Sequence, residues 1–435
     1  MNKVILIFWS IFMFTGIEAQ VGRSFSSLEK ALKNPASVSN LYLTGKGLES
    51  LPESIGDLTN LKILRLEVNN LSEIPESIGK LTQLTELHIS TNKLTSLPES
   101  IGDLSNLILL DVRFNKITKL PKSIGNLKNL QQLLLSDNHL TSLPESIADL
   151  KKLRTLLLDK NQLTSLSESV TNLEYLEILS LNENQLTSLP ESIGRLSALS
   201  SLSIYGNPVS TLPNSLFNLS KLSKLHLSSN HLTSLPKSFG YLKSLKELHI
   251  LNTPISTLPE SIWNLTNLTH LAINGTKISK LSESIGNLKN LNILSLTDNE
   301  LTKVPESIGN LTKVTRLSLD GNKLTSLPES IGNLTQLHTL RVENNKLTSL
   351  PEALGNLNQL GVFNAKRNQL VDVPNTIGNL TKLNSLNLED NKLTQLPESI
   401  ENLTSLRYFY LHSNNFSIKE MEQIKNALPR CRISL

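Results

Sequence analysis

The chain has 435 residues, with 42 Lys and Arg against 38 Asp and Glu, a net charge of +4. That balance argues against a nucleic-acid partner, which calls for concentrated positive charge, and the single Cys excludes a disulfide framework or a Cys-based zinc cluster. Aromatic residues are 4% and hydrophobic residues 38%, so the core is expected to be aliphatic and the molecule thin, with much surface per residue.

The first nineteen residues read as an address. Met1-Asn2-Lys3 carries one positive charge, and Val4 to Phe14 is apolar except for Ser10. That run matches the apolar region of a signal peptide and is too short to span a bilayer. Cleavage after Ala19 is expected, which makes the protein exported: secreted, periplasmic or on the cell surface. Residues 20–37 read as an N-terminal helical cap. Ser26 or Ser27 supplies the N-cap, Phe25, Leu28, Ala31 and Leu32 the apolar face, and Pro35 the stop.

A 23-residue period then takes over. Pro recurs at 52, 75, 98, 121 and 144, and onward to 397, with Ser167 and Ser282 standing at two lattice positions. Asn recurs on the same period from Asn69 to Asn230 and from Asn299 to Asn414. The unit reads LxxLxLxxNxLTSLPESIGNLTN. Residues 38–405 hold sixteen such units without an insertion, and 406–435 hold a last partial unit and a C-terminal helical cap. In that cap Ser417 and Glu420 form an S-x-x-E box, Ile418, Met421, Ile424 and Leu428 share a helical face, and Pro429 ends it. Cys431 is expected to be a packed residue of this cap.

In Leu61-Lys62-Ile63-Leu64-Arg65-Leu66, the alternation of Leu64 and Leu66 with polar neighbours predicts a half-buried strand. Stacked units pair these strands in parallel, and seventeen of them give a sheet of roughly 80 Å along its arc. The Asn after each strand turns inward, where its amide bonds backbone groups in a ladder. Leu-Pro-Glu-Ser-Ile-Gly cannot hold a long helix, because Pro fixes φ and Gly interrupts. Short turns are therefore expected on the outer side. The recurring Glu53, Glu76, Glu99 and Glu145 read there as solvated or turn-capping carboxylates.

This repeat resembles the leucine-rich repeat family in its 23-residue, LPxSIGxL form. Similar repeats occur in exported bacterial proteins and in Ras-suppressor-like and Scribble-like scaffolds. The resemblance implies an α/β repeat solenoid: a horseshoe with a parallel concave sheet and short turns or helical turns on the convex side. It also implies a non-enzymatic, monomeric binding module without a cofactor, taking a protein or glycan on the concave face. The alternative is a cytoplasmic signalling scaffold of the Ras-suppressor type. Extracellular animal members usually carry Cys-rich caps, and these caps are not Cys-rich, which favours a bacterial exported protein.

Information about a partner sits at the outward strand positions, which vary while the framework stays constant. The candidate contact residues are Arg65, His88, Asp111, Leu134, Leu157, Tyr205, His226, Glu247, His249, His270, Arg316, Arg341, Tyr408 and Tyr410. Arg65, Glu67, Glu86, His88, Asp111 and Arg113 form a mixed-charge zone. Leu109, Leu134, Leu157 and Ile178 form an apolar spot, the best hot-spot candidate. Lys224, His226, Glu247, His249 and His270 form a titratable zone, and a second charged zone runs from Arg316 to Asp390. A metal-dependent enzyme built on His226, His249 and His270 is the remote third reading; an open, wet sheet neither buries nor orients such a site, so no metal is assigned. The unit also breaks its own rules in repeats 10 and 11, residues 245–290. Thr253 and Thr276 replace the ladder Asn, Ser282 replaces Pro, and Trp263 takes the usual Gly position, as Phe217 does in repeat 8. This stretch is expected to be the softest or most bent.

Overall fold

A computed structural model describes residues 23–435. The proposed signal segment and the first three residues of the N-terminal cap lie outside that range. Among the described residues, nineteen strands form one parallel sheet, and adjacent strands are in register at steps of one repeat. Leu41, Leu64, Leu87 and Leu110 follow one another across it, each fully buried. Burying one such leucine contributes about 2 kcal/mol, and the stack repeats that gain in every unit. Seventeen strands, from Val38–Tyr42 to Tyr408–Tyr410, fall on the period; Arg23–Phe25 and Arg432–Ser434 extend the sheet by one strand at each end.

Each full unit returns along the convex side through a single 3-10 turn, which in most units begins directly after the lattice Pro, as in Glu53–Asp57 and Glu76–Lys80. The consensus glutamates tie these turns together. The Glu53 carboxylate accepts the N–H of Ser77 at 3.2 Å, Glu76 that of Ser100 at 3.1 Å, and Glu283 that of Ser307 at 2.9 Å. Hydrogen bonds from the neighbouring serine hold the Glu76 and Glu283 carboxyls below their ordinary range. These residues are therefore turn caps rather than chemistry.

The turns approach closely because the fourth residue after the lattice Pro is usually Gly. A Cβ on Gly102 would lie 2.5 Å from the Ser123 carbonyl oxygen. Phe217 and Trp263 stand at this position with almost no exposure, and the Phe217 ring sits 5.7 Å from that of Phe239 in the next turn. Such side chains fill space between neighbouring convex turns that Gly leaves empty elsewhere.

The ladder runs as the residue types require. Asn92 Oδ1 accepts the Leu71 N–H at 3.0 Å, while Nδ2 donates to the Leu66 and Ile89 carbonyls at 2.9 and 3.1 Å. The residue before the ladder position is left-handed in repeat after repeat: Val68, Thr91 and Phe114 do so with side chains that disfavour it, Gly206, Gly275 and Gly321 without strain. At the irregular repeats Thr253 Oγ1 reaches the Leu227 and Leu251 carbonyls at 3.3 and 3.2 Å, with one proton to give. The sheet compensates there. The strands Glu247–Leu251 and His270–Asn274 have five residues where most repeats have three, adding the pairs Ile250–Ile273 and Leu251–Asn274. The weak rung is thus flanked by the longest strand pairing of the repeat array, five positions against three between most neighbours.

Both ends are closed. The helix Leu28–Leu32 is capped by Ser27, whose Oγ accepts the Lys30 N–H. The helix Ile418–Ala427 is capped by Ser417, which accepts the Glu420 N–H at 3.2 Å. The Glu420 carboxylate does not complete the box; it accepts the Leu396 N–H at 3.1 Å and pins the helix to repeat 16. Ile424 and Leu428 are buried and Met421 packs beside them, whereas Ile418, expected on the same face, is exposed. It occupies the first helical position, ahead of the surface that the helix covers. Cys431 is half-buried, which raises its thiol pKa. No helix among the described residues is long and apolar enough to cross a membrane.

Candidate functional site on the concave face

Outward side chains on the sheet stand in rows, at the positions before, between and after the two inner leucines. The middle row was expected to be exposed, and for much of its length it is not. Asp111 is 4% exposed and Leu134 9%. Parallel strands on the inside of a curve bring side chains of one row against each other, so short ones are covered by longer neighbours.

At the N-terminal end the Arg65 guanidinium lies 5.9 Å from the Tyr42 ring centroid, a cation–π stack. His88 Nε2 meets the Glu86 carboxylate at 3.1 Å, and this bond lowers the Glu86 pKa. Asp111 takes a fork from Arg113, Nε to Oδ1 at 2.9 Å and Nη2 to Oδ2 at 2.8 Å, which raises the Arg113 pKa. The zone is mixed in charge but largely paired within itself.

The apolar spot is smaller than its residue list suggests. Leu134 and Leu157 are direct cross-strand neighbours. Leu109 and Ile178 lie in the row before them, separated by Gln132 and Thr155. Ile178 alone of the four is exposed; Leu109 and Leu157 are half-buried.

Mid-sheet, the strands Lys224–His226, Glu247–Leu251 and His270–Asn274 bring the titratable zone together. His226 pairs with His249 and Lys224 with Glu247 across one step; Glu247 pairs with His270 across the next. The His226 and His249 ring centroids are 4.4 Å apart. Both rings are half-buried, which corrects the picture of an open, wet surface. Burial pushes His226 down to about 4, helped by His249, and lowers His249 as well. Lys224 Nζ bonds Glu247 Oε1 at 3.0 Å, and Thr269 Oγ1 lies 2.9 Å from His270 Nδ1.

Towards the C-terminus Arg341 binds Asp320 at 2.7 Å and Glu343 at 3.3 Å, while Lys366 binds Glu389 at 2.7 Å. Burial raises the Asp320 pKa despite Arg341. Arg316 is exposed and makes no ion pair among the described residues. Tyr205, Tyr408 and Tyr410 are exposed, the last two on the final strand of the periodic array.

One function of this face was missed from sequence. The residue after the second inner leucine has an N–H beyond the end of the strand, and a side chain repeatedly accepts it. Asp159 Oδ1 takes that of Asn182, Asn182 Oδ1 that of Tyr205, Asn274 Oδ1 that of Thr297, and Asp320 Oδ1 that of Glu343. Within one strand Asp111, Asn364 and Asn387 do the same for Arg113, Lys366 and Glu389. The available signal was the concentration of Asp and Asn at these row positions.

Comparison with known proteins fits this geometry. The family model described as a leucine-rich repeat region matches residues 30–115, 99–185, 167–261, 256–344 and 329–428. A leucine-rich repeat protein of Leptospira interrogans is 37% identical, with a TM-score of 0.81 over 95% of this chain and 100% of its own. The ectodomain of the Arabidopsis thaliana receptor kinase GASSHO1/SCHENGEN3, solved with CASPARIAN STRIP INTEGRITY FACTOR 2, is 30% identical, with a TM-score of 0.54 over 90% of this chain and 58% of its own. An internalin of Listeria monocytogenes is 27% identical, with a TM-score of 0.63 over 70% of this chain and 87% of its own. None of the curated proteins matches the sequence significantly. With a repeat model that tiles residues 30–428 and a full-length structural counterpart, the chain belongs to the leucine-rich repeat family.

Proposed function

We propose that the protein is an exported, non-enzymatic binding module that holds a protein ligand on its concave face. The observation that carries this reading is the contrast between a uniform buried framework and outward rows that differ from strand to strand. A surface evolving only for stability has no need of such variety alongside exposed Arg65, Tyr205, Arg316, Tyr408 and Tyr410. His88, Leu157, His226, Glu247, His249, His270 and Arg341 complete the contact face, while Asp111 and Leu134 support it from beneath. A standard contact of about 800 Å² per partner fits on a fraction of a sheet this long. Relatives that include a receptor ectodomain solved with its partner and an internalin support the binding role. The charged apolar run of residues 1–19 supports export.

The test pairs two variants. Arg316→Glu with Tyr408→Ala and Tyr410→Ala alters the concave face; Tyr241→Ser alters a convex residue that is 71% exposed. Protein captured from extracellular extracts by the unaltered chain should be lost with the concave variant and kept with the convex one. The reverse pattern refutes the reading. Export is checked separately: the chain recovered outside the cytoplasm should begin at Gln20, and an intact Met1 on cytoplasmic protein defeats it.

A further inference from the structure

The mid-sheet cluster carries a chemistry that partner binding does not require. Two imidazoles and a carboxylate converge there, with one ligand atom from each of His226, Glu247 and His249 lying within 4.8 Å of the others. We propose that these three residues form a binding site for a divalent transition metal of the zinc class.

The donor set selects the ion. Two imidazoles and one carboxylate suit zinc, nickel or copper, whereas calcium and magnesium call for all-oxygen shells. The scaffold holds the donors' origins fixed, since His226 and His249 are direct cross-strand partners and Glu247 lies on the same strand as His249, two residues earlier. Tetrahedral donors at about 2.1 Å from zinc sit roughly 3.4 Å apart, so the most separated donors, within 4.8 Å of each other, must close by up to about 1.4 Å. Rotation about χ angles supplies that shift without moving a strand. Small neighbours leave the space: Ser203 flanks His226 on one side and Ala272 flanks His249 on the other.

Half-burial of both rings favours capture of an ion as well, because it limits competition from bulk water. One group opposes it. The Lys224 ammonium holds Glu247 Oε1 at 3.0 Å and would be a second cation beside the ion. His270 stands in register with Glu247 on the far side, its ring placed by Thr269. A site with three protein donors leaves a coordination position facing the concavity, open to water or to a donor on a docked ligand.

The test needs no partner, so its failure leaves the proposed binding function untouched. The full chain, stripped with a chelator, is titrated with zinc chloride by calorimetry at neutral pH, with circular dichroism to check the fold of each variant. One ion per chain is expected. His226→Ala and His249→Ala should each weaken binding by at least about tenfold and their combination should abolish it. Lys224→Ala, which removes the competing cation, should tighten binding; His338→Ala, remote from the cluster, should leave it unchanged. Absence of stoichiometric uptake, or uptake that survives the double histidine change in a folded protein, overturns the proposal.

Discussion

Removing one ladder asparagine tests the physical basis of the fold. Asn322 is buried; its Nδ2 donates to the Leu296 and Leu319 carbonyls at 2.8 and 2.9 Å, and its Oδ1 accepts the Leu301 N–H at 3.1 Å. In Asn322→Ala three buried backbone groups lose a partner, at about 1 kcal/mol net for each, so the expected cost is about 3 kcal/mol. Thr253 holds the equivalent rung with one hydroxyl proton shared between two carbonyls at 3.2 and 3.3 Å. Thr253→Ala therefore costs about 1 kcal/mol. Urea unfolding of the two variants, followed by circular dichroism and by the fluorescence of buried Trp263, measures both. Equal costs at the two positions, or a cost below about 1 kcal/mol for Asn322→Ala, would show that the amide ladder does not hold the repeats together.

Three further outcomes follow from the same geometry. Val68, exposed and β-branched at φ 57°, should yield a more stable protein as Val68→Gly, by about 0.5–1 kcal/mol, while Gly321→Val should destabilise it, since it holds a β-branched residue at φ 65° with its Cβ 3.2 Å from the Asp298 Cα; a thermal melt of each decides. Trp263→Gly empties the space between two convex turns and should cost about 3–5 kcal/mol in urea. For His226 the folded pKa of about 4 lies below the ordinary 6.5, so metal-free protein keeps its full stability above pH 6.5 and loses it as pH falls towards 4. Discounted for partial exposure, that loss is about 2 kcal/mol. It should vanish in His226→Gln; an identical pH profile for the two proteins would contradict the burial argument.

The parallel sheet, the ladder and the convex turns were legible in sequence because each is written many times over at one spacing. Departures were legible for the same reason: Thr253, Phe217 and Trp263 stand out against a constant background. Their consequences were not. Thr253 marks a rung with fewer bonds, yet the lengthened strands Glu247–Leu251 and His270–Asn274 offset it, and strand length depends on tertiary pairing rather than on the rung itself. The edge strands Arg23–Phe25 and Arg432–Ser434 carry no repeat pattern, so nothing in the period pointed to them. Burial of the middle row escaped because alternation predicts which face a side chain takes, while its exposure depends on how closely its neighbours on that face crowd it.

Asp111 shows how the concave face divides between support and recognition. Sequence variety alone ranks it with Arg65 as a contact residue. In the structure its Oδ1 accepts the Arg113 N–H at 3.1 Å and also receives the Arg113 Nε, with almost no exposure, whereas the Arg65 side chain is open to solvent. A buried acceptor serving an N–H beyond the strand end behaves as a cap, and its loss strands a backbone donor and a guanidinium together. Asp111→Ala should therefore cost about 2 kcal/mol. Asp111→Asn keeps an oxygen for the N–H, gives up the charged fork and should cost about half as much. Arg65→Ala should stay within about 0.5 kcal/mol of the unaltered protein. Urea midpoints rank the three directly. Should Asp111→Asn prove as damaging as Asp111→Ala, the charge pairing with Arg113 holds the site and the backbone cap contributes little. Should both be silent, Asp111 is no support for the strand end and returns to the pool of contact residues alongside Arg65.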